Sequence, residues 1–207
     1  MPKIVDHDQR RSEIVEAFLS VVARKGLPAA TSRAIATELG VGTGALWHYF
    51  DGFDAVTAAA YQRVFERTNE RIAGASTGLR GLAAVDAMMR EILPLAKETL
   101  DEAQVVVGFW GRLAANETLS AAEADVSDHW GGRLGHHLRE AVDDGELTAG
   151  TPVDGIVDLL LSIAVGQQVH AVMATPLMDP ARQLALIEQC LAPWRPTRAH
   201  DQEAVTR

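Results

Sequence analysis

Residues 31–50 concentrate side chains that can hydrogen-bond a phosphate or the edge of a base. Thr31, Ser32 and Arg33 place hydroxyls and a guanidinium side by side. Further on come the small residues Gly42, Thr43, Gly44 and Ala45, followed by Trp47, His48 and Tyr49. Small residues let the start of a helix approach a duplex closely, and its free backbone N–H groups attract phosphate. The Thr43 hydroxyl suits a base or a phosphate oxygen. Trp47, His48 and Tyr49 add an indole N–H, an imidazole and a phenol, all able to donate to phosphate. The major groove of B-DNA is about 12 Å wide and admits one helix. A seven-residue helix is about 10 Å long and reaches three or four base pairs. Taken singly, Trp47 or Tyr49 is a packing residue, Arg33 a solvated one and Thr31 a helix cap, while Leu46 and Phe50 belong to a core. The ordered combination points to duplex DNA.

Competing chemistries lack their context. Gly74-Ala-Ser76-Thr-Gly78 matches the G-x-S-x-G nucleophile turn, which needs a buried strand before it; residues 66–71 are charged and helical in pattern. Gly40-Val-Gly42-Thr-Gly44-Ala45 matches a dinucleotide fingerprint, which also needs a preceding strand and an acidic residue about 20 positions on. His129 and His136 lie about 10 Å apart along a helix, too far to share an ion. Asp125 and His129 have a spacing that could share one, but these histidines and His137 are read as structural or solvated. The expectation is therefore no metal, no cofactor and no enzyme. A lone cysteine, Cys190, excludes an internal disulfide framework and reads as a small buried hydrophobe.

The elements that must hold the DNA-reading stretch are helical. Ile14, Phe18, Val21 and Val22 form one stripe on a helix over 8–25, with Arg24 and Lys25 at its C-terminal end and Gly26 and Pro28 beyond. Thr31 caps a short helix over 32–39 that Gly40 ends, and a second short helix follows over 43–49. Two short helices around a glycine turn make a helix-turn-helix. Longer helices are predicted over 54–73, 79–92, 95–115, 118–143, 153–174 and 180–192, the last opened by Asp179-Pro180. The expected fold is all-α: a three-helix head over 1–53, a helical body over 54–193 and a disordered polar tail over 194–207.

Hydrophobic residues make up 47% of the 207 and charged residues 23%, a balance that suits a folded chain. No uninterrupted apolar run reaches the ~20 residues of a membrane helix, and the first ten residues do not resemble a signal peptide. A cytoplasmic protein with no membrane partner is expected. The net charge of −9 is unevenly spread. Residues 1–50 carry six Lys and Arg against five Asp and Glu, leaving +1; residues 51–207 carry thirteen against twenty-three, leaving −10. The near-neutral head can approach phosphates, and the acidic body should stand off from them.

The series Thr31, Arg33-Ala34-Ile35-Ala36, Leu39-Gly40-Val41 and Gly44-Ala45-Leu46-Trp47-His48-Tyr49-Phe50, set behind an N-terminal helix, resembles the tetracycline-repressor (TetR) family over residues 8–57. The resemblance implies a head joined through a fourth helix to a ligand-binding and dimerisation body. It implies a homodimeric repressor that binds palindromic operator DNA and releases it on binding a small-molecule effector. Some positions depart from the family pattern. Ala34 replaces an acidic residue, so no reciprocal capping box forms. Phe53 replaces a phosphate-contacting lysine, Trp47 a tyrosine, and Gly42 and Thr43 stand where Ser and Lys are frequent. Fewer cations imply a shallower dependence of DNA affinity on salt. Ile92-Leu-Pro94-Leu, Phe109-Trp110, Gly145-Glu-Leu and Val165-Gly166 resemble the betaine-regulator-like subgroup.

A mostly apolar pocket is expected from Phe65, Met88, Met89, Ile92, Val106, Phe109, Trp110, Leu113, Trp130, Leu134 and Leu161. Tryptophans and acidic residues together would suit a lipophilic cation. Gln167, Gln168 and His170 interrupt an apolar helix; they meet either ligand or partners at a dimer seam, since a buried amide without a partner is costly. Gln168 is placed with the effector and Gln167 with the seam. Ile156, Leu160, Ile163, Leu184, Ile187 and Leu191 are expected to complete a four-helix seam between two copies.

Overall fold

The computed structural model describes residues 7–113 and 117–197, and of residues 112, 113 and 117–122 the backbone alone. The chain folds as α1 (His7–Lys25), α2 (Ser32–Leu39), a 3-10 turn (Thr43–His48), α3 (Phe53–Ala75), α4 (Gly81–Ile92), α5 (Lys97–Leu113), α6 (Glu117–Asp143), α7 (Val153–Val172) and α8 (Pro180–Leu191). Shorter 3-10 turns occupy Leu27–Ala29, Pro176–Met178 and Ala192–Trp194. Among the described residues there is no strand, so the fold is all-α.

The stripe Ile14, Phe18, Val21 and Val22 is buried against Ile35, Ala36, Leu46, Phe50 and Val56, which makes the core of the head. Thr31 accepts a hydrogen bond from the Ala34 backbone N–H at 3.2 Å. Gly40 adopts a left-handed φ of 67°, which stops α2 and turns the chain. The segment that follows differs from expectation: it is a 3-10 turn over 43–48, not an α-helix over 43–49. Ala45 N–H bonds to the Gly42 carbonyl and Tyr49 N–H to that of Leu46, each three residues back. Gly44 weakens α-helix here by about 1 kcal/mol, and buried Leu46 pins the middle of the turn. At a rise of about 2.0 Å per residue, six 3-10 residues span about 12 Å, as long as the α-helix they replace.

In the body, α4, α6, α7 and α8 enclose a core that includes Val85, Met89, Leu138 and Ala164. By length and composition α7 could cross a membrane. Counting unbroken apolar residues misses this, because Asp154, Asp158 and the glutamines interrupt the run. Ile156, Val157, Leu160 and Ala164 turn one side of α7 into the core. The body also extends one residue beyond the expected limit. Trp194 packs against the core, and its carbonyl accepts from Thr148 N–H at 2.8 Å. Residues 198–207 of the expected tail lie outside the described residues.

Helix α5 joins head to body. Val105 is buried within the head's core. Gln104 Oε1 accepts from the Leu27 backbone N–H at 3.1 Å. Next to it Gly108 leaves a notch filled by Leu27, whose Cδ2 a side chain at 108 would overlap. Gly108→Ala should push Leu27 from α5 and cost about 1–3 kcal/mol, the range for overpacking. Circular dichroism melts would register this as a lower Tm; an unchanged Tm would mean that Leu27 turns aside freely.

Candidate DNA interface and ligand cavity

The structure sets Thr31, Arg33, Gly42, Thr43, Gly44, Trp47 and His48 at the surface, with Ser32, Ala45 and Tyr49 half-buried. Leu46 and Phe50 point into the core between them. Trp47 is a large apolar side chain, yet 41% of it is exposed. Its surroundings therefore do not explain it as packing. Tyr49 is held from behind: its ring lies 5.0 Å from that of His7, and Arg11 donates to its carbonyl. The Arg11 guanidinium also sits 4.1 Å from the centre of the Phe50 ring. Arg11 thus fixes the end of the exposed turn, a role invisible in the sequence because its partners are 38 and 39 positions away. Across the head, Arg24 on α1 pairs with Glu38 on α2 and holds the Glu38 carboxyl below the usual carboxylate range.

A partly enclosed cavity, open to solvent, lies in the body. Helix α3 contributes Tyr61, Phe65 and Thr68 to it; α5 contributes Thr99, Glu102, Val106 and Trp110; α6 contributes Glu123, Val126, Ser127 and Trp130; α7 contributes Leu161 and Gln168. The carboxylates of its wall have unequal partners. Arg71 holds Glu91 at 3.1 Å and Glu102 at 2.9 Å. Burial lifts the Glu102 carboxyl above its ordinary range although Arg71 pulls it back. Glu123 has no cation beside it among the described residues. It accepts from the Tyr61 hydroxyl and, at 2.8 Å, from the Trp110 indole N–H. Burial, then the Glu123 bond, pushes the Tyr61 phenol far above its ordinary value, so it stays a donor. Both bonds reach one oxygen of the Glu123 carboxyl, which sits among aromatic rings.

Of the expected pocket residues, Phe65, Ile92, Val106, Trp110, Trp130, Leu161 and Gln168 meet at this cavity. Met88, Met89 and Leu134 do not: they are fully buried where α4 and α6 pack on one another. Phe109 lies behind the wall, stacked on Tyr61 with ring centres 3.9 Å apart. The Leu113 side chain lies outside the described residues. Sequence reading missed Tyr61 as a wall residue, and it missed Glu91, Glu102 and Glu123 altogether.

The residues expected at a dimer seam are placed largely inward. Ile156, Leu160, Gln167, Ile187 and Leu191 are buried within the single chain, and Ile163 and Leu184 are half-buried. Buried side chains cannot also meet a second copy without opening the core. The exposed large apolar residues of this region are instead Leu159, Val165, Val172 and Met173, the last 66% exposed. Helical period identifies two candidate faces on so apolar a helix, and only packing decides between them.

The histidines group differently from the pairing considered in the sequence. His136 and His137 converge on Glu140, at 3.6 and 2.8 Å. Glu140 also accepts from Gly81 N–H at 3.2 Å, so it caps the start of α4. His137 and this N–H hold its carboxyl below the usual range.

Comparison with known proteins gives two matching family descriptions. Residues 14–60 match the bacterial regulatory proteins of the tetR family, and residues 81–193 match the C-terminal domain of BetI-type transcriptional repressors. Over 112 residues the chain is 37% identical to the HTH-type transcriptional regulator PksA of Bacillus subtilis, covering 53% of this chain and 54% of that protein. Over 126 residues it is 27% identical to the HTH-type regulator BetI of Burkholderia mallei, covering 58% and 62%. The match thus spans under two-thirds of these relatives. Among solved structures, a transcriptional regulator of Saccharomonospora viridis in complex with choline shares the fold with a TM-score of 0.81 at 16% identity, covering 92% of this chain and all of that one. A TetR regulator of Haloarcula marismortui aligns with a TM-score of 0.77 at 21% identity, covering 91% of this chain and all of that one.

Proposed function

Since the chain belongs to the TetR family of transcriptional regulators, with a BetI-type C-terminal domain, we propose that it is a homodimeric repressor that binds palindromic operator DNA and is released by a lipophilic cation. The observation that carries the DNA half is the exposed 3-10 turn, donor-rich outside and anchored inside by Leu46 and Phe50. The observation that supports the effector half is Glu123, an acceptor with no cation beside it among the described residues, set among Tyr61, Phe65, Trp110 and Trp130. Ring faces and a carboxylate together attract a quaternary or protonated amine. The Saccharomonospora viridis regulator holds such a molecule, choline, in the same fold.

Helix α3 supplies the coupling. Val56, Ala60 and Val64 belong to the head's core, while Tyr61, Phe65 and Thr68 line the cavity. A ligand entering between α3 and α5 presses on a helix that carries the head. Two heads must sit about 34 Å apart to read successive turns of DNA, and an effector that prefers another spacing lowers operator affinity. Dimerisation is assigned to the outer side of α7 and its C-terminal end, around Leu159, Val172 and Met173, because these are exposed and apolar.

The test is fluorescence anisotropy on DNA from upstream of the gene, with and without tetraethylammonium. Wild type should form a salt-dependent complex that the cation dissolves. Trp47→Ala and Thr43→Ala should each weaken it about tenfold or more, the scale of one hydrogen bond to a charged group, at unchanged Tm. Full affinity in both variants would remove the turn from the interface.

A further inference from the structure

We infer that His136, His137 and Glu140 form a binding site for a divalent transition-metal ion of the zinc class, where the C-terminal half of α6 meets the start of α4. The site is separate from the effector cavity, since none of the three residues lines it. Residues three and four apart share one face of a helix, so both histidines reach the carboxylate of Glu140. One donor atom from each side chain lies within 4.8 Å of the other two. His137 Nδ1 stands 2.8 Å from Glu140 Oε2, and His136 Nε2 stands 3.6 Å from Oε1. Zinc holds nitrogen and oxygen ligands at about 2.0–2.2 Å, which spaces tetrahedral donors about 3.3–3.6 Å apart. The widest gap in the group therefore has to close by no more than roughly 1.5 Å.

The three side chains are held unequally, and this permits the closure. Glu140 Oε2 accepts from Gly81 N–H at 3.2 Å and faces His137, which leaves Oε1 towards His136. The His137 and Glu140 side chains are 16% and 22% exposed, while that of His136 is 69% exposed and free to swing inward. A hydrogen bond to Glu140 accounts for His137 alone. His136 is too far for such a bond, yet its nitrogen is turned to the same carboxylate. Two imidazoles and a carboxylate suit zinc, nickel or copper, whereas magnesium and calcium take oxygen ligands. Three protein ligands leave one position to water. The competing cation is Arg80, whose Nε lies 2.8 Å from Asp144 and 4.0 Å from Glu140 Oε1. Its side chain is 60% exposed, so it is able to withdraw. Because Glu140 also caps α4, a bound ion clamps α4 to α6.

Isothermal titration of the full chain, free of any affinity tag, with zinc chloride tests this, with magnesium chloride as the control. Wild type should take up one zinc ion per chain and melt at a higher temperature with it, since an ion bound only by the native state stabilises that state. Magnesium should do neither. His136→Ala and His137→Ala should each weaken zinc binding at least about tenfold, the smaller effect seen when even an outer partner of a metal site is removed. His136 is exposed, so its variant keeps the fold. Arg80→Ala should tighten binding by removing the competing charge, and His129→Ala should bind as wild type does. Absence of zinc binding by wild type overturns the site. So does zinc binding that survives both histidine substitutions, which would place the ion elsewhere.

Discussion

Arg71→Met should destabilise the protein by about 3 kcal/mol at pH 7, and by clearly less at pH 5. The estimate comes from breaking a buried pair, which costs about 3–5 kcal/mol because it strands a charge. The lower end applies, since the Arg71 and Glu102 side chains are 22% and 12% exposed. Glu98, the third acidic neighbour, is mostly solvated and adds little. The pH dependence follows from Glu102. Burial already holds its carboxyl above the ordinary range, and Arg71 is the main force lowering it. Without Arg71 it rises further. A carboxyl whose folded pKa exceeds the unfolded one loses stability as pH climbs between the two values, then stays at that deficit. Acidifying back through the folded value restores it. Urea unfolding of both proteins at the two pH values measures this, and equal deficits would mean that Glu102 is not the stranded group.

Glu123→Gln should weaken binding of tetraethylammonium by at least about thirtyfold, the lower limit for removing one member of a buried charge pair. Operator affinity without ligand should not change, because Glu123 lies in the body's cavity and not in the head. The amide keeps the size of the side chain but loses its charge and one of its acceptor oxygens. Tyr61 and Trp110 both donate to one oxygen of that carboxylate, so the glutamine carbonyl can take their bonds and the substitution removes chiefly the charge. Calorimetry supplies the affinity and anisotropy the operator binding. An unchanged affinity for the cation would put the positive charge elsewhere.

The head was the most legible part of the chain because its signals are local. The stripe Ile14, Phe18, Val21 and Val22 has one period and one face, and Thr31 and Gly40 mark the two ends of α2 by their own chemistry. The form of the following turn was not legible, since one glycine and five other residues suit either helix type until Leu46 is pinned. In the body, helix positions were legible but helix faces were not. Leu159 and Leu160 are neighbours of one type; one is exposed and the other buried. Glu123 gave no signal because its meaning depends on Tyr61, 62 positions earlier. The importance of Arg71 likewise depends on Glu91 and Glu102, brought to it from two other helices.

The notch at Gly108 bears on how such proteins can be recombined. A reader of a different DNA sequence could not simply be grafted onto this body at the start of α3. The donor head would bring its own residue to the position of Leu27, and the notch at Gly108 is filled by the leucine side chain, while Gln104 bonds only the backbone N–H there. A chimaera with a bulkier residue there would lose the seating of the head on α5, and one with a smaller residue would leave the notch partly empty. Working hybrids should therefore need the two halves of this joint to be transplanted together.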